Sequence, residues 1–183
     1  ALQTSGASGG GCGMIFETDG TMTVWFTYTG TWQGQLETNR LFRDPNAWYH
    51  IVLSYDTTQG TASDRLKLYV NGVQETSFST ATYPAQDTVH TFLEASRTQY
   101  IAGDSGGSTL DGCISHFHCI DGTAYDASAF GETDATTGEW KIKTSPNVTY
   151  GNNGFFILKD GNSLTDQSGN GNNWTLKIGR AHV

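Results

Sequence analysis

The stretch from Trp48 to Val73 restricts the possible folds of this chain more than any other part of the sequence. Its two apolar runs are separated by a polar turn at residues 57–63, and in the second run apolar and polar residues alternate. The alternating apolar residues are Leu66, Leu68 and Val70. This period is typical of a strand with one buried face, and the Asn71-Gly72 pair that follows favours a tight type I′ turn. We therefore expect strand, loop, strand and hairpin, with Trp48 in the core.

Composition narrows the class of protein. At 183 residues the chain is long enough for one domain with a proper core. Ten Lys and Arg residues against 18 Asp and Glu residues give a formal net charge of −8, and no basic cluster is present that could neutralise phosphates. No run approaches the roughly 18 apolar residues of a membrane span. We therefore expect neither a nucleic acid nor a membrane partner, and the many Gly, Thr and Ser residues favour an all-β fold.

Further strands are predicted along the chain. Residues 1–13 form a Gly/Ser-rich lead, and residues 14–16 and 21–28 are expected to pair as a hairpin around a turn at 17–20. In that hairpin Met22, Val24 and Phe26 share one face. Trp25 is nevertheless expected in the core because it lies on a strand. Residues 78–89 are interpreted as a polar loop, and short strands are predicted at 99–103 and 154–158.

Residues 110–121 alternate clearly enough to predict one continuous strand. The inward face is expected to carry Cys113, Phe117 and Cys119, because burying His116 and His118 would be costly. The three cysteines of the chain follow no zinc-binding spacing and are expected to be free thiols. A single helical turn is predicted from Asp126 to Gly131, with Asp126 as its N-cap.

Several short segments resemble a known family. The segments are 48–52, 68–73, 100–103 and 110–114, the last reading Leu-Asp-Gly-Cys-Ile. Together they resemble the laminin-G-like, concanavalin A-like jelly-roll family. The resemblance implies a two-sheet antiparallel jelly-roll sandwich as the core of the chain.

A second resemblance is more specific. The combination of residues 42–50, 120–124, 130–140 and 168–175 resembles repeated modules in tail-fibre and other virion proteins of marine bacteriophages. It implies a virion or extracellular location, a host surface glycan as partner, and assembly as a homo-oligomer within a fibre.

These resemblances predict the following division of the chain. Residues 14–122 form the laminin-G-like sandwich, and 123–165 form an extension that packs on it and adds a strand. Residues 166–176 resemble the segment with which such modules open, so a next module is expected to begin there. Residues 177–183 match the translation of a sequencing adapter in one frame, and we expect them to be an artefact.

The sequence does not predict an enzyme. Glycoside hydrolases that resemble this family place three carboxylates in a Glu-x-Asp-x-x-Glu pattern on one strand, so that a pair flanks the glycosidic bond. Glu132 and Asp134 begin such a pattern, but Thr137 occupies the third position. His116 and His118 could suggest a metal, yet two ligands on one strand without a third favour exposed strand histidines.

Calcium is the one cofactor that the resemblance implies. Modules of this kind often hold a calcium ion at a rim through Asp side chains and backbone carbonyls, which suits a hard cation. Asp104 and Asp111 flank a Gly/Ser loop and are the candidate ligands. The alternative is that both are solvated loop acids.

Carbohydrate binding is the predicted function. It requires an exposed aromatic ring on which a sugar can stack, together with polar groups that fix the hydroxyls. Trp32 lies in a polar, turn-rich neighbourhood and is the candidate platform. The expected protein is a non-catalytic, lectin-like module, and the alternatives are a structural module of a fibre or capsid decoration and, third, a glycoside hydrolase.

Overall fold

The computed structural model describes residues 2–5, 11–28, 31–90, 98–103, 109–161 and 163–176. Within these ranges the strands are β1 (Leu2–Ser5), β2 (Gly11–Phe16), β3 (Met22–Tyr28), β4 (Thr31–Thr38), β5 (Ile51–Tyr55), β6 (Leu66–Val70), β7 (Val73–Gln74), β8 (Phe78–Thr82), β9 (Thr98–Ile101), β10 (Phe117–Cys119), β11 (Gly131–Thr133), β12 (Trp140–Ile142) and β13 (Phe155–Ile157). Two 3₁₀ turns occupy Ala62–Asp64 and Ala127–Ala129. None of the described helices is long and apolar enough to cross a membrane.

A six-stranded sheet forms the first layer. Its strand order is β8-β4-β3-β2-β1-β9, and every neighbouring pair is antiparallel. The predicted hairpin is present as β2 and β3, joined by a turn in which the Gly20 amide donates to the Glu17 carbonyl at 3.0 Å. The lead also contains a strand, since β1 pairs with both β2 and β9.

The second layer is the three-stranded sheet β5-β6-β7. Asn71 and Gly72 connect β6 to β7 with φ angles of 49° and 81°, which are the positive values that a type I′ turn requires. The Asn71 side chain also holds the approach to β5, because its Oδ1 accepts a hydrogen bond from the His50 amide at 2.8 Å. The predicted strand, loop, strand and hairpin are therefore confirmed.

The core lies between the inner faces of these two sheets. The six-stranded sheet contributes Cys12, Met22, Val24, Phe26 and Leu36, and the three-stranded sheet contributes Leu66 and Leu68. These residues alternate along their strands with outward-facing ones, as expected when each sheet buries one face. The predicted all-β, two-sheet antiparallel jelly-roll sandwich is confirmed.

Trp48 was wrongly assigned to this core. Strand β5 begins only at Ile51, and the Trp48 side chain lies in the preceding connection with 68% of its surface exposed. The alternation of residues indicates which face of a strand is buried, but it does not locate the first residue that pairs. Trp25 is also outside the core: it is half-buried on the outer face of β3.

The predicted loop at 78–89 begins with a strand. Residues 78–82 form β8, which among the described strands pairs with β4 alone and is an edge of the six-stranded sheet. An edge strand has to satisfy only one ladder of hydrogen bonds, and it tolerates the small polar residues that made this segment resemble a loop. Pro84 follows the strand and is buried.

A short hairpin, β11 with β12, places Trp140 against the β6–β7 turn. A Cβ atom added at Gly72 would overlap the Trp140 ring, so the indole packs directly on the turn glycine. The indole N–H donates to His50 Nδ1 at 2.9 Å, and the two rings stack with centroids 5.9 Å apart. The helical turn predicted before this hairpin is confirmed, with Asp126 Oδ1 accepting from the Ser128 amide at 2.9 Å.

The chain divides into two compact units. The first contains residues 1–112 and 124–146, and the second contains 113–123 and 147–183. In the second unit β10 pairs with β13. The domain boundaries predicted from resemblance at 122, 165 and 176 stay predictions, and residues 177–183 lie outside the described part of the chain.

The strand predicted over 110–121 is present only at β10. His116 has a φ of 49°, a left-handed conformation in which a strand cannot continue. Of the three residues expected to face inward, Cys119 is buried, Phe117 is half-buried and Cys113 is exposed. Cys12, Cys113 and Cys119 all lie in the described part of the chain, and no disulfide joins any of them, as predicted.

The Asp166 carboxylate organises the end of the second unit. Its Oδ1 accepts from the Phe156 and Ser168 amides, both at 2.9 Å, and its Oδ2 accepts from Ser168 Oγ and the Asn172 amide. The side-chain amide of Asn172 in turn donates to the Gly154 carbonyl at 2.9 Å. Residues 166–172 are thereby tied to the segment that contains β13.

Candidate functional site

An open depression of about 410 Å³ lies on the outer face of the six-stranded sheet. It is lined by Ile15, Glu17, Thr18, Asp19, Thr21, Thr23, Trp25, Trp32, Gln35 and Glu37. The lining residues of β2, β3 and β4 alternate with core residues such as Val24 and Leu36, which point the other way. We refer to this depression as the outer-face site.

Two indole rings form the apolar floor of the outer-face site. Trp25 lies over Gly13 of the neighbouring strand, where an added Cβ would come within 2.6 Å of the ring. Trp32 meets Trp25 edge to face, with ring centroids 6.2 Å apart and an interplanar angle of 72°. Trp32 is 56% exposed, so it offers a large apolar surface to a ligand.

A β-bulge in β4 brings Trp32 to this face. Phe26 pairs with Gly34, but the next residue of β3, Thr27, pairs with Trp32, so Gln33 is an extra residue on β4. Strict alternation from the buried Leu36 and Gly34 would turn Trp32 inward. The bulge resets the alternation, and Trp32 lies on the same side as Trp25.

Carboxylates occupy the part of the outer-face site nearest the β2–β3 turn. Asp19 Oδ1 accepts from the amide and the hydroxyl of Thr21 at 2.9 and 2.7 Å. The backbone hydrogen bond from Thr21 is the main reason that the pKa of Asp19 lies below its ordinary value of 3.8. Glu37 Oε2 accepts from Thr80 Oγ1 of the edge strand at 3.3 Å.

Two polar side chains of the outer-face site are available to a ligand. Among the described residues, the side chains of Glu17 and Gln35 have no hydrogen-bond partner, although both line the depression. Glu17 offers two acceptor oxygens, and Gln35 offers one acceptor and two donors. An aromatic floor with such groups at its rim is the combination that a sugar ring requires.

The predicted calcium ligands are not brought together by the described structure. Asp104 lies outside the described residues, and Asp111 is exposed. Within the described ranges there is no group of three His, Cys, Asp or Glu side chains that could hold a metal ion. Calcium binding at Asp104 and Asp111 stays a prediction.

The histidines predicted to be exposed are half-buried instead. The His118 ring stacks on Phe156 with centroids 3.9 Å apart, and its Nδ1 is 2.8 Å from the Tyr150 hydroxyl. His116 Nδ1 lies 2.6 Å from Ser115 Oγ and its ring packs near Phe156. Aromatic packing in the second unit therefore accounts for both side chains.

Asp134 is held by hydrogen bonds close to it in the chain, and Glu132 lies at the surface of β11. Asp134 Oδ1 accepts from the Thr136 and Thr137 amides, and its Oδ2 accepts from Lys141. The hydrogen bond from Lys141 is the largest of the effects that lower the pKa of Asp134 to about 2. A carboxyl group that stays ionised in this way is unsuited to donate a proton as a general acid. Glu132 is exposed on β11.

Sequence reasoning proposed Trp32 alone for sugar contact, and the structure adds its neighbours. Trp25, Gln35 and Glu37 were missed, although they alternate along β3 and β4 with the buried residues Val24 and Leu36. Their outward position on adjacent strands is a signal that the sequence contains. The pairing of β3 with β4, which brings them together, is not visible in the alternation of either strand alone.

Comparison with known proteins places this architecture in a family. A family model described as the concanavalin A-like lectin/glucanases superfamily matches residues 1–129. No curated protein and no solved structure matches the chain. The matched range includes both sheets of the sandwich and every residue that lines the outer-face site. The chain therefore belongs to the concanavalin A-like lectin/glucanase superfamily.

Proposed function

We propose that this protein is a non-catalytic carbohydrate-binding module that holds a glycan in the outer-face site. The observation that carries the proposal is the exposed indole of Trp32, which the bulge in β4 places beside Trp25 above a depression of about 410 Å³. A pyranose ring stacks on such a surface, Gln35 lies where it can meet the hydroxyls of that ring, and Glu17 lies where it can meet those of a further ring of the same glycan.

The proposed setting is a virion adhesion or tail-fibre protein of a bacteriophage, with host surface glycans as ligands. Support for this setting comes from the motif resemblance at 42–50, 120–124, 130–140 and 168–175. A location on the virion or outside the cell, and assembly as a homo-oligomer within a fibre, belong to the same proposal. An ion at Asp104 and Asp111 would be calcium.

The alternative of a structural module has one observation in its favour. Trp48 is 68% exposed and Val73 is 65% exposed, and neighbouring fibre subunits could cover such side chains. An oligomer in which Trp32 is buried at the subunit contact would favour this alternative. Retention of glycans by the isolated chain would favour the lectin.

A glycan array scanned with the wild type and two Trp variants tests the proposal. Trp32→Ala should lower the affinity for a bound glycan by about tenfold or more, since a stacked aromatic ring supplies a major part of such an interface. Trp48→Ala is the matched control, because Trp48 is at least as exposed but does not line the depression. Equal glycan binding by the wild type and Trp32→Ala, or no binding to any glycan of the array, would contradict the proposal.

Two further measurements complete this experiment. Bound oligosaccharides incubated with the protein should keep their length, and Trp32-dependent shortening that Glu17→Gln or Glu37→Gln abolishes would make the protein a glycoside hydrolase instead. A melting temperature that chelator leaves unchanged would remove calcium from the proposal.

A further inference from the structure

The charges that line the outer-face site are all of one sign. Its ten lining residues include Glu17, Asp19 and Glu37 and no Lys, Arg or His. In the described part of the chain neither Glu17 nor Glu37 forms an ion pair. The hydrogen bonds from Thr21 favour the ionised form of Asp19 and lower its pKa.

Arg43 is a cation that lies close to Asp19 and adds to the lowering of its pKa. Its Nη2 donates to the backbone carbonyl of Asp19 at 3.4 Å, and its side chain packs against Gly20. It is not among the residues that line the depression. A ligand in the outer-face site would therefore meet three carboxylates beside the indole floor.

The carboxylates and the indoles are separated along the strands. Thr21 directly precedes β3 and is four residues from Trp25, or about 13 Å at the rise of an extended strand. A single sugar ring stacked on Trp32 would not reach Glu17 or Asp19, whereas a chain of several rings would. Charge should therefore matter for oligosaccharides more than for monosaccharides.

We propose that the outer-face site selects glycan chains by charge, accepting amine-bearing and uncharged chains and excluding those that carry carboxylate or sulfate groups. The inference rests on the proposed function, because it names the class of glycan that the same site takes. A uronate or sulfate placed near Glu17 and Glu37 is repelled, and a protonated amine there is attracted. Among the described residues, no other group that lines the depression reverses this sign.

Three hexasaccharides that share β-1,4-linked gluco rings test the inference: one of glucose, one of glucosamine and one of glucuronic acid. Binding of these three hexasaccharides is compared with binding of the neutral, amine-bearing and anionic members of the glycan array. Binding should decrease from amine-bearing to neutral to anionic at low salt. The differences should shrink as salt is raised, because exposed charges are screened.

The outcomes separate this inference from the proposed function. Trp32-dependent binding of anionic glycans at least as tight as that of neutral ones would overturn the charge selection and leave the lectin standing. Absence of binding to every hexasaccharide and every array member would overturn both. Binding confined to neutral or amine-bearing glycans would support both.

A variant of the site carboxylates sharpens the test. Glu17→Gln combined with Glu37→Gln should weaken binding of the amine-bearing probe about two- to five-fold, the range expected for exposed ion pairs. Glu132→Gln combined with Glu139→Gln changes the net charge equally at two exposed positions outside the site. An equal loss in this control would assign the effect to the net charge of the protein and overturn the inference.

Discussion

At the scale of single residues, one proton decides the contact between Trp140 and His50. The indole N–H donates to His50 Nδ1 at 2.9 Å, so this nitrogen must be unprotonated for the bond to form. Burial lowers the pKa of His50 below its ordinary value of 6.5, which favours the neutral ring that the contact requires. Protonation of His50 would place an N–H opposite another N–H and break the contact.

The stability of the protein should therefore fall as the pH drops below 6.5. Between 6.5 and the lower folded-state pKa, the unfolded chain takes up a proton on His50 that the folded chain does not, so the free energy of unfolding decreases. Above 6.5 both states are neutral at this position and the contribution is fully present. Denaturant unfolding followed by circular dichroism between about pH 8 and pH 5 measures it.

The variant His50→Gln isolates this contribution. A glutamine keeps an acceptor for the Trp140 indole and does not titrate. The decrease in unfolding free energy below 6.5 should be smaller in the variant than in the wild type. An identical pH dependence would assign the whole decrease to other groups.

At the scale of elements, the β6–β7 turn and the β11–β12 hairpin depend on each other. Gly72 has a φ of 81°, and the Trp140 ring occupies the space that a Cβ would need. Gly138 has a similar φ of 74°, but nothing lies within 4 Å of its Cβ position. The two glycines therefore share backbone strain and differ in packing.

Alanine at these two glycines should have unequal effects. Gly138→Ala should cost about 1–2 kcal/mol, the strain of a left-handed alanine. Gly72→Ala should cost clearly more, because the new methyl group also displaces the Trp140 ring. Denaturant unfolding measures both. In a Trp140→Ala background the extra cost at Gly72 should disappear, and its persistence would show that the indole is not its cause.

The sequence predicted elements well where local pattern and turn chemistry agree. Strand β6 and its Asn71-Gly72 turn could be derived because alternation and turn residues both point to a hairpin. The break in the 110–121 strand could not, because the left-handed backbone of His116 leaves no mark in the alternation. Edge strand β8 was missed because the partner that defines it, β4, is distant in sequence.

Of the residues that line the outer-face site, the sequence singled out Trp32 alone as a sugar platform, and that role stays a prediction. Trp32 was selected for its polar neighbourhood, and the structure places it where a ligand can reach it. The extra residue Gln33 that turns it outward depends on the register between β3 and β4, which propensity does not specify. The carboxylates beside it come from a turn and a second strand, so only the assembled sheet brings them together.

At the scale of the whole molecule, each of the two compact units has its own source of stability. The first unit has the sandwich core. The second contains the buried side chains of Phe155, Phe156 and Ile157 and also relies on hydrogen bonds. Asp166 alone accepts one bond from the Phe156 amide of β13 and three from Ser168 and Asn172 of the following loop. Such a carboxylate is difficult to replace, because its loss leaves several donors unsatisfied.

Replacement of Asp166 should weaken the second unit. Asp166→Ala should lower the hydrogen-exchange protection of the β10 and β13 amides by at least about tenfold, since hydrogen bonds to charged groups contribute about 1.5–3 kcal/mol. Asp160→Ala is the control, because Asp160 is an exposed acid in the same unit. Unchanged protection in Asp166→Ala would mean that the loop is held by other contacts.

The positions of the five tryptophans determine what intrinsic fluorescence can report about this protein. All five indoles are exposed or half-buried, and none is among the fully buried residues. The emission of Trp32 and Trp48 should therefore change little when the core unfolds, since both indoles are already exposed in the folded protein. The emission of Trp32 and Trp25 should change when a ligand covers them, so intrinsic fluorescence can report occupancy of the outer-face site.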